Sequence, residues 1–290
     1  MKKHVLGRVM GIVAMSLALV LTQQQSAQAQ GRLTIEPVPG KDGLHVIYGP
    51  GGNIGVRVTS EGVILIDDKF PQDYEEIQQL VATVSNLPVR YVINTHHHGD
   101  HSGSNASFLE VAEVIAHKNA RENILRNGQD GAPRIIFTNE TAVFLGGVEV
   151  QVHHFSTGHT NGDAVVYFPD LRTVHGGDLL HGTAPFIDYG NGGSSRGWVS
   201  TMNGVLSLDW DTAIPGHGSL MDRRDVLGFR NQMESVREHM KSLIRGGLRK
   251  DDASGAIQDS SLSWTQAEDG LFMSRSIPGF YDEIAAEVGQ

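Results

Sequence analysis

The chain has 290 residues, a formal net charge of −10 at pH 7 and no cysteine. The length allows one large domain with a sizeable core, and such an acidic protein is a poor candidate for binding nucleic acid or an anionic membrane. Without cysteine the protein has neither disulfides nor thiolate metal ligands, so the core must hold the fold unaided.

Residues 1–29 have the pattern of a secretory signal peptide. Three cationic side chains precede an apolar run from Val9 to Leu21, and Ala27-Gln28-Ala29 follows as a small-x-small cleavage site. An apolar run of about 13 residues is too short for a membrane span, which takes about 20. We therefore predict cleavage after Ala29, a periplasmic or secreted protein, and no membrane contact of the mature chain.

Short strands and helices alternate in the first half of the mature chain. Strands are predicted at residues 44–48, 54–58, 63–67, 90–94 and 111–116. Helices are predicted from Pro71 to about Leu87 and over residues 118–127. The strand 63–67 is almost wholly apolar, which indicates burial on both faces, and Asp67 and Asp68 stand at its end.

The second half continues in the same way. Strands are predicted at residues 141–145, 148–153, 164–168, 172–175 and 212–214, the first two forming a hairpin. Helices are predicted at residues 197–208, from a cap at Asp222 to about Arg245, and from about Phe280. A glycine-rich loop spans residues 182–195. Strands and helices mixed in this order, without linker-like breaks, predict one α/β sandwich domain over residues 30–290.

The motif that carries the chemistry is Thr95-His96-His97-His98-Gly99-Asp100-His101. His96 and His98 share a face on extended backbone, because side chains two positions apart point the same way. The glycine turn can then swing Asp100 and His101 toward a second point. Nitrogen and oxygen ligands suit zinc, so the spacing predicts a two-metal site. The alternative is a surface run of histidines without an ion, but such tracts usually lie near a terminus.

Three further candidate ligands, His159, Asp178 and His217, stand at glycine turns beside apolar strands. Each alone also fits a polar turn residue or a helix cap, but loops at strand ends converge at one edge of a sheet sandwich. Together with the first motif they supply enough ligands for two zinc ions, with Asp178 as the bridge between the ions. The predicted ligands of the first ion are His96, His98 and His159. Those of the second ion are Asp100, His101 and His217.

In this order, the motifs resemble those of the metallo-β-lactamase superfamily of dinuclear hydrolases. The resemblance covers nearly the whole mature chain, from Asp67, which matches the first-motif aspartate of the family, to His217. It implies a four-layer αββα sandwich, in which the histidine motif lies at the sheet edge and holds two Zn²⁺ ions per chain.

A few positions bear on the substrate that the resemblance implies. The cysteine-bearing β-lactamases have a thiolate where this chain has Asp178, and an aspartate there resembles glyoxalase II, lactonases and phosphodiesterases. The ligand trio of the second ion also matches the β-lactamase subclass that lacks the cysteine. The best-known subclass has a lysine for the substrate carboxylate at the position of His181. Gly190-Asn191 lies one residue out of step with a glycine-asparagine pair of that subclass.

The mechanism that follows has two ions sharing a water whose pKa falls near neutral, so that hydroxide attacks a carbonyl carbon. Asp100 is expected to be the catalytic residue that orients this nucleophile and relays its proton. Asp67 and Asp163 are expected to stand behind the ligands and hold imidazoles in the right tautomer. Three histidines are expected outside the site, namely His97, His153 and His154.

The leading functional hypothesis is hydrolysis of the β-lactam ring, a small-molecule substrate met in the periplasm. A lactonase, esterase or thioester hydrolase of the same fold is the alternative. Glyoxalase II itself is less favoured, because it works on a cytosolic glutathione thioester and the C-terminal segment has no obvious basic site for glutathione. An iron persulfide dioxygenase and a non-catalytic metal-binding protein are the remaining classes. The diiron relatives are set aside because they have a glutamate where His98 stands.

Overall fold

The computed structural model describes residues 32–181, 184–259, 261–266 and 270–289. The predicted signal peptide, residues 1–29, lies outside the described residues, and its cleavage and the single-domain boundary remain predictions. Within the described ranges, the strands form two sheets of seven and six strands. No helix in those ranges is long and apolar enough to cross a membrane.

The strands of the first sheet follow one another in chain order. They are β1 Thr34–Pro37, β2 Leu44–Tyr48, β3 Ile54–Val58, β4 Val63–Ile66, β5 Val89–Ile93, β6 Glu113–His117 and β7 Ile135–Phe137. Strands β1 to β4 pair antiparallel, whereas β4 to β7 pair parallel. Because β4 and β5 are parallel neighbours, the residues that follow them, Asp67 and the histidine motif, leave the sheet at the same edge.

The second sheet also keeps chain order. Its strands are β8 Glu140–Leu145, β9 Val148–His153, β10 Val165–Phe168, β11 Thr173–His181, β12 Thr212–His217 and β13 Met221–Asp222. Only β11 and β12 pair parallel, with His181 opposite His217, and two register irregularities fall in β11 on either side of Gly177. Parallel pairing again brings the strand ends together, here those that carry Asp178 and His217.

The helices cover the outer faces of both sheets. They are α1 Tyr74–Val84, α2 Gly99–Ser102, α3 Asn105–Phe108, α4 Lys118–Arg126, α5 Ser195–Ser207, α6 Arg223–Arg245, α7 Ala253–Ala256, α8 Ser263–Gln266 and α9 Ile277–Val288. A π-helical turn, Phe272–Ser276, leads into α9. As predicted, Asp222 caps α6, and its side chain accepts hydrogen bonds from the backbone N–H groups of Arg224 and Asp225.

Strand β4 shows why the protein has four layers. Its side chains alternate, so that Val63 and Leu65 pack with α1 on the outer face while Ile64 and Ile66 pack against the second sheet. All four are fully buried, which explains the unbroken apolar run. Helices α5, α6 and α9 pack on the far side of the second sheet. The predicted αββα sandwich is confirmed.

Several boundaries differ from the predicted ones, each for a local reason. Strand β11 continues through Gly176-Gly177 to His181, because the irregular register keeps it paired with β12. Helix α5 begins at Ser195, where the Ser194 side chain accepts from the Gly197 N–H. The short edge strands β1 and β7 were not predicted, and both are mostly exposed.

Candidate metal centre

The candidate site lies where the ends of β4, β5, β11 and β12 meet. The histidine motif follows β5 and continues into α2, and Asp178 and His217 are supplied by β11 and β12. His159 is on the loop between β9 and β10. The structure brings all seven predicted ligands together in two clusters, and Asp178 contacts both.

The first cluster consists of three imidazoles whose nitrogen atoms meet. His98 Nδ1 lies 3.1 Å from His96 Nε2 and 2.9 Å from His159 Nε2. Asp178 Oδ2 lies 3.6 Å from His159 Nε2. These are the predicted ligands of the first ion together with the predicted bridge.

Hydrogen bonds at the far side of each ring determine which nitrogen carries the proton. His159 Nδ1 donates to the Phe186 carbonyl at 2.6 Å, and His98 Nε2 donates to Asp188 Oδ2 at 3.0 Å. The Thr95 hydroxyl donates to Asp67, so its oxygen accepts from His96 Nδ1 at 3.1 Å. The three nitrogens that face one another therefore all present lone pairs. A cation bound between them would offset the repulsion of lone pairs this close.

The second cluster combines two imidazoles with two carboxylates. Asp178 Oδ1 lies 3.1 Å from His101 Nε2 and 3.3 Å from His217 Nε2. Asp100 Oδ2 lies 3.3 Å from His217 Nε2. His101 Nδ1 donates to Asp67 Oδ2 at 2.8 Å, so Nε2, which faces the cluster, is the nitrogen left for a metal ion.

The electrostatics of the two clusters differ. Burial, with the neighbouring His98 next in effect, lowers the pKa of His159 to about 3, so that ring is neutral and ready to act as a ligand. In the second cluster burial alone would lower the pKa of His217, but Asp100 and Asp178 raise it to about 9. The pKa of His101 is likewise raised, against its burial, by Asp178 and Asp67. The carboxylates around these two rings therefore stabilise positive charge in the second cluster.

This donor set fits zinc. Zinc takes imidazole nitrogen and carboxylate oxygen, and the first cluster offers three nitrogens and one oxygen, as a tetrahedral site requires. The second offers two nitrogens with the Asp100 carboxylate, and Asp178 directs its other oxygen there. The assignment of the seven side chains as ligands remains a prediction, but their geometry suits two divalent cations.

Two carboxylates, Asp67 and Asp163, are predicted to hold ligand imidazoles from behind, and only the first contacts an imidazole in the structure. Asp67 does hold an imidazole, that of His101, and also accepts from the Thr95 N–H at 2.7 Å. Its backbone has φ 67°, a strained value for a residue other than glycine. Asp163 differs from the prediction: both of its oxygens accept from the N–H of Thr160, and one also accepts from its hydroxyl. It therefore stabilises the backbone turn after His159 rather than an imidazole ring.

We expect Asp67→Asn to weaken metal binding about 10- to 100-fold, the usual cost of losing a carboxylate behind a ligand histidine. Asparagine keeps only one of the two acceptor oxygens, so its NH2 group would face either the Thr95 N–H or the N–H of His101 Nδ1, both of which are donors. Titration of the metal-free protein with Zn²⁺ against a chromophoric chelator measures the effect.

The neighbouring Asp68→Asn is the matched control. Asp68 is equally buried, and burial raises the pKa of its carboxyl well above the usual range, which favours its neutral form. Its one hydrogen bond among the described residues comes from the Ser104 N–H, which an asparagine oxygen can still accept. Equal metal affinity in the two variants would contradict the role assigned to Asp67.

Two contacts of the site were not found by sequence reasoning. Asp188 and the Phe186 carbonyl orient His98 and His159, and both belong to the glycine-rich loop. The spacing of Asp188 and Asn191 is typical of a local turn, and Asn191 does bond to Asp188 at 2.6 Å. Nothing in that pattern indicates a histidine 90 positions away.

The loop at residues 49–53 packs closely against the second cluster, a contact that residue spacing cannot predict. A Cβ atom on Gly52 would stand 2.2 Å from the His101 ring, so only glycine lets this loop close over the second cluster. Lys69, fully buried, donates to the Gly52 carbonyl at 2.5 Å and fixes the loop from below. Burial lowers the pKa of Lys69 to about 8.

The other histidines near the motif are not among the seven predicted ligands, although His181 lies close enough to Asp178 and His217 to share a metal ion with them. His97 is buried beside Asn123, whose Nδ2 lies 3.4 Å from His97 Nδ1. His175 Nε2 donates to the Asn53 carbonyl at 3.1 Å. The ring of His181 is 5.2 Å from that of His217, at the border of the second cluster. His154 stacks on His117, and His153 stacks on Phe155.

Several known proteins are similar to this chain in sequence, to different extents. A profile of the Metallo-beta-lactamase superfamily matches residues 47–217. The 2,4-dinitroanisole O-demethylase subunit alpha of Nocardioides sp. (strain JS1661) is 31% identical over 266 residues, which cover 88% of this chain and 76% of that protein. Metallo-beta-lactamase IND-1 of Chryseobacterium indologenes is 30% identical over 217 residues, 69% of this chain and 88% of that protein.

Solved structures agree on the fold. The metallo-beta-lactamase FIM-1 from Pseudomonas aeruginosa, in its mono-zinc form, superposes with a TM-score of 0.63 over 71% of this chain and 96% of that one, at 17% identity. The order of the motifs, the sandwich and the matched profile lead to one conclusion. The chain belongs to the metallo-beta-lactamase superfamily.

Proposed function

We propose that the protein is an exported, zinc-dependent hydrolase with two metal ions, and that β-lactam rings are its leading substrate class. The observation that carries the proposal is the position of Asp178 between two clusters of lone pairs. Ions held there would lower the pKa of a bound water and polarise a carbonyl group. Export is inferred from residues 1–29.

The exposure of the ligands indicates where a substrate approaches. The side chains of His101 and His159 are buried, whereas those of Asp100 and His217 are 26% and 30% exposed. The His98 side chain is also 23% exposed, so the open side of the centre extends from His98 to the Asp100 carboxylate. From there Asp100 can orient an attacking water and take its proton, which is the role expected of it from the sequence.

Side chains around the open side favour a small, partly apolar substrate. Phe186 lies parallel to the His98 ring, with centroids 5.9 Å apart, and Phe70 lies against Gly51 near Asp100. The guanidinium of Arg275 is 5.9 Å from the centre of the Phe186 ring. A β-lactam combines an apolar ring system with a carboxylate, and Arg275 is a cation at the rim that could receive that group. The similarity to IND-1 supports the same class.

A second candidate, hydrolysis of an aryl ether or ester, rests on a separate observation. The similarity to the O-demethylase subunit covers 88% of the chain, more than the similarity to IND-1. The best-known β-lactamases bind the substrate carboxylate with a lysine, and His181 occupies that position here. The usual partner of the substrate carboxylate is therefore missing. The name of the relative points to a nitroaryl methyl ether as the test compound.

A panel of substrates decides between the candidates. The purified protein with Zn²⁺ is assayed with nitrocefin, a γ-lactone, an acyl thioester and 2,4-dinitroanisole. We expect turnover of nitrocefin to exceed that of the other three. Higher turnover of the lactone, thioester or ether would reject the β-lactam assignment, and turnover of none would reject hydrolysis of these classes.

The control for this panel separates metal chemistry from contamination. His96→Ala removes a predicted ligand and should abolish turnover, whereas His239→Ala, on the exposed face of α6, should leave it within about twofold. Elemental analysis of the same samples is expected to give two zinc ions per chain. One iron per chain would instead favour an oxygenase.

A further inference from the structure

The loop of residues 186–194 connects the first metal cluster to the rest of the protein. Besides its two contacts with imidazoles, it pairs along its backbone with the loop that carries His159: the N–H of Asp188 donates to the His159 carbonyl at 2.9 Å, and that of Ser194 donates to the Gly158 carbonyl at 2.8 Å. The position of the loop therefore determines where His98 and His159 point. The second cluster has no comparable contact with it in the described part of the chain.

Helix α9 and the turn before it hold this loop from the outside. The Glu283 carboxylate accepts from the Tyr189 hydroxyl at 2.7 Å and from the Ser194 hydroxyl at 2.6 Å. It also accepts from the N–H and hydroxyl of Ser195, at 3.0 and 2.5 Å. The Ser276 hydroxyl accepts from the Ile187 N–H at 2.8 Å.

Close packing accompanies these hydrogen bonds. A Cβ atom on Gly279 would stand 2.3 Å from the Tyr189 ring, so the ring lies directly on the helix backbone. Arg237 of α6 is 6% exposed at its side chain, donates to the Ser195 hydroxyl, and lies 3.7 Å from Glu283. Glu283 is thus a largely buried carboxylate with several donors, an arrangement that strongly fixes its partners.

We propose that Glu283 is a positioning residue for the three-histidine metal cluster, acting through Tyr189 and the loop 186–194. The proposal rests on the proposed function, because it concerns the same metal centre. It adds a part of the chain beyond residues 47–217, which the family profile matches. Loosening the loop would free the partners of His98 and His159 but leave Asp67, the partner of His101, in place.

The test compares Glu283→Gln with Glu287→Gln. Both residues belong to α9 and lie one turn apart, but Glu287 pairs with Arg237 and Lys241, and within the described residues it has no hydrogen bond or ion pair with the loop. Metal-free protein is titrated with Co²⁺, whose visible absorption reports each site, in competition with a chelator. His159→Ala and His217→Ala identify the bands of the two clusters.

We expect Glu283→Gln to weaken the binding of one ion about 10-fold, the lower end of the loss when a partner behind a metal ligand is removed. This is the ion whose binding is lost in His159→Ala. Glu287→Gln should keep both affinities. Equal loss at both ions, or loss at neither, overturns the proposal. If Glu283→Gln does not fold, Tyr189→Phe replaces it, and unchanged affinity for both ions then overturns the proposal. Wild-type protein that binds no metal would refute the proposed function as well.

Discussion

The largest effect on activity is expected for Asp178→Asn, which should lower kcat/KM about 1,000-fold, as when a group that stabilises transition-state charge is lost. Asp178 directs one oxygen to His101 and His217 and the other to His159, and among the described side chains it is the carboxylate that contacts both clusters. Asparagine keeps the shape but removes the charge and one acceptor. A shared ligand weakened in this way should lower the metal content from two ions per chain to one.

Steady-state kinetics and elemental analysis of the same preparation test this expectation. Asp209→Asn is the control, because its carboxylate is 79% exposed and pairs with Arg172 at the surface. We expect it to change kcat/KM by less than about twofold. Two ions per chain together with near wild-type activity in Asp178→Asn would show that Asp178 does not join the two clusters.

The parts of the site that the sequence could predict are those set by strand geometry. Side chains two positions apart on extended backbone share a face, and His96 and His98 do lie in one cluster although they follow the end of β5. Strand ends that meet at one edge account for His159, Asp178 and His217, because the edge is common to both sheets. The same logic predicted the sandwich, since β4 is apolar on both faces.

The contacts behind the ligands could not be predicted, because they depend on chain segments without periodicity. Asp188 reaches His98 across 90 positions, and its loop has no repeating pattern that fixes a direction. Asp163 is expected from the sequence to hold an imidazole, but the N–H and hydroxyl of Thr160 donate to its oxygens instead. The left-handed backbone of Asp67 could not be predicted either, because only a minority of aspartates adopt it and tertiary contacts select which.

Helix α9 shows the same limit at longer range. Its amphipathic pattern predicts a buried face, and Phe280 and Ile284 are fully buried on it. The pattern places Glu283 next to that face, but it does not predict that the Glu283 carboxylate accepts hydrogen bonds from the loop behind the metal site. That meeting depends on where the second sheet ends and how α5 begins at Ser195.

The largest effect on stability is expected for Trp198→Ala. Trp198 is fully buried in α5, its ring centre lies 5.8 Å from that of Phe229 and 6.1 Å from that of His159, and Nε1 donates to the Leu179 carbonyl at 2.9 Å. Removing it leaves a cavity and an unpaired carbonyl, at a cost of about 3–5 kcal/mol in the free energy of unfolding. For a protein of this size the melting temperature should fall by about 10 °C in calorimetry.

Phe144→Ala is the matched control for that loss, because it also removes an aromatic ring but from a side chain that is 71% exposed on β8. It should change the free energy of unfolding by less than about 0.5 kcal/mol. Since the Trp198 ring supports His159 from behind, Trp198→Ala should also weaken metal binding, and added Zn²⁺ should raise its melting temperature less than that of the wild type. A melting temperature equal to that of Phe144→Ala would mean that the packing behind His159 does not stabilise the fold.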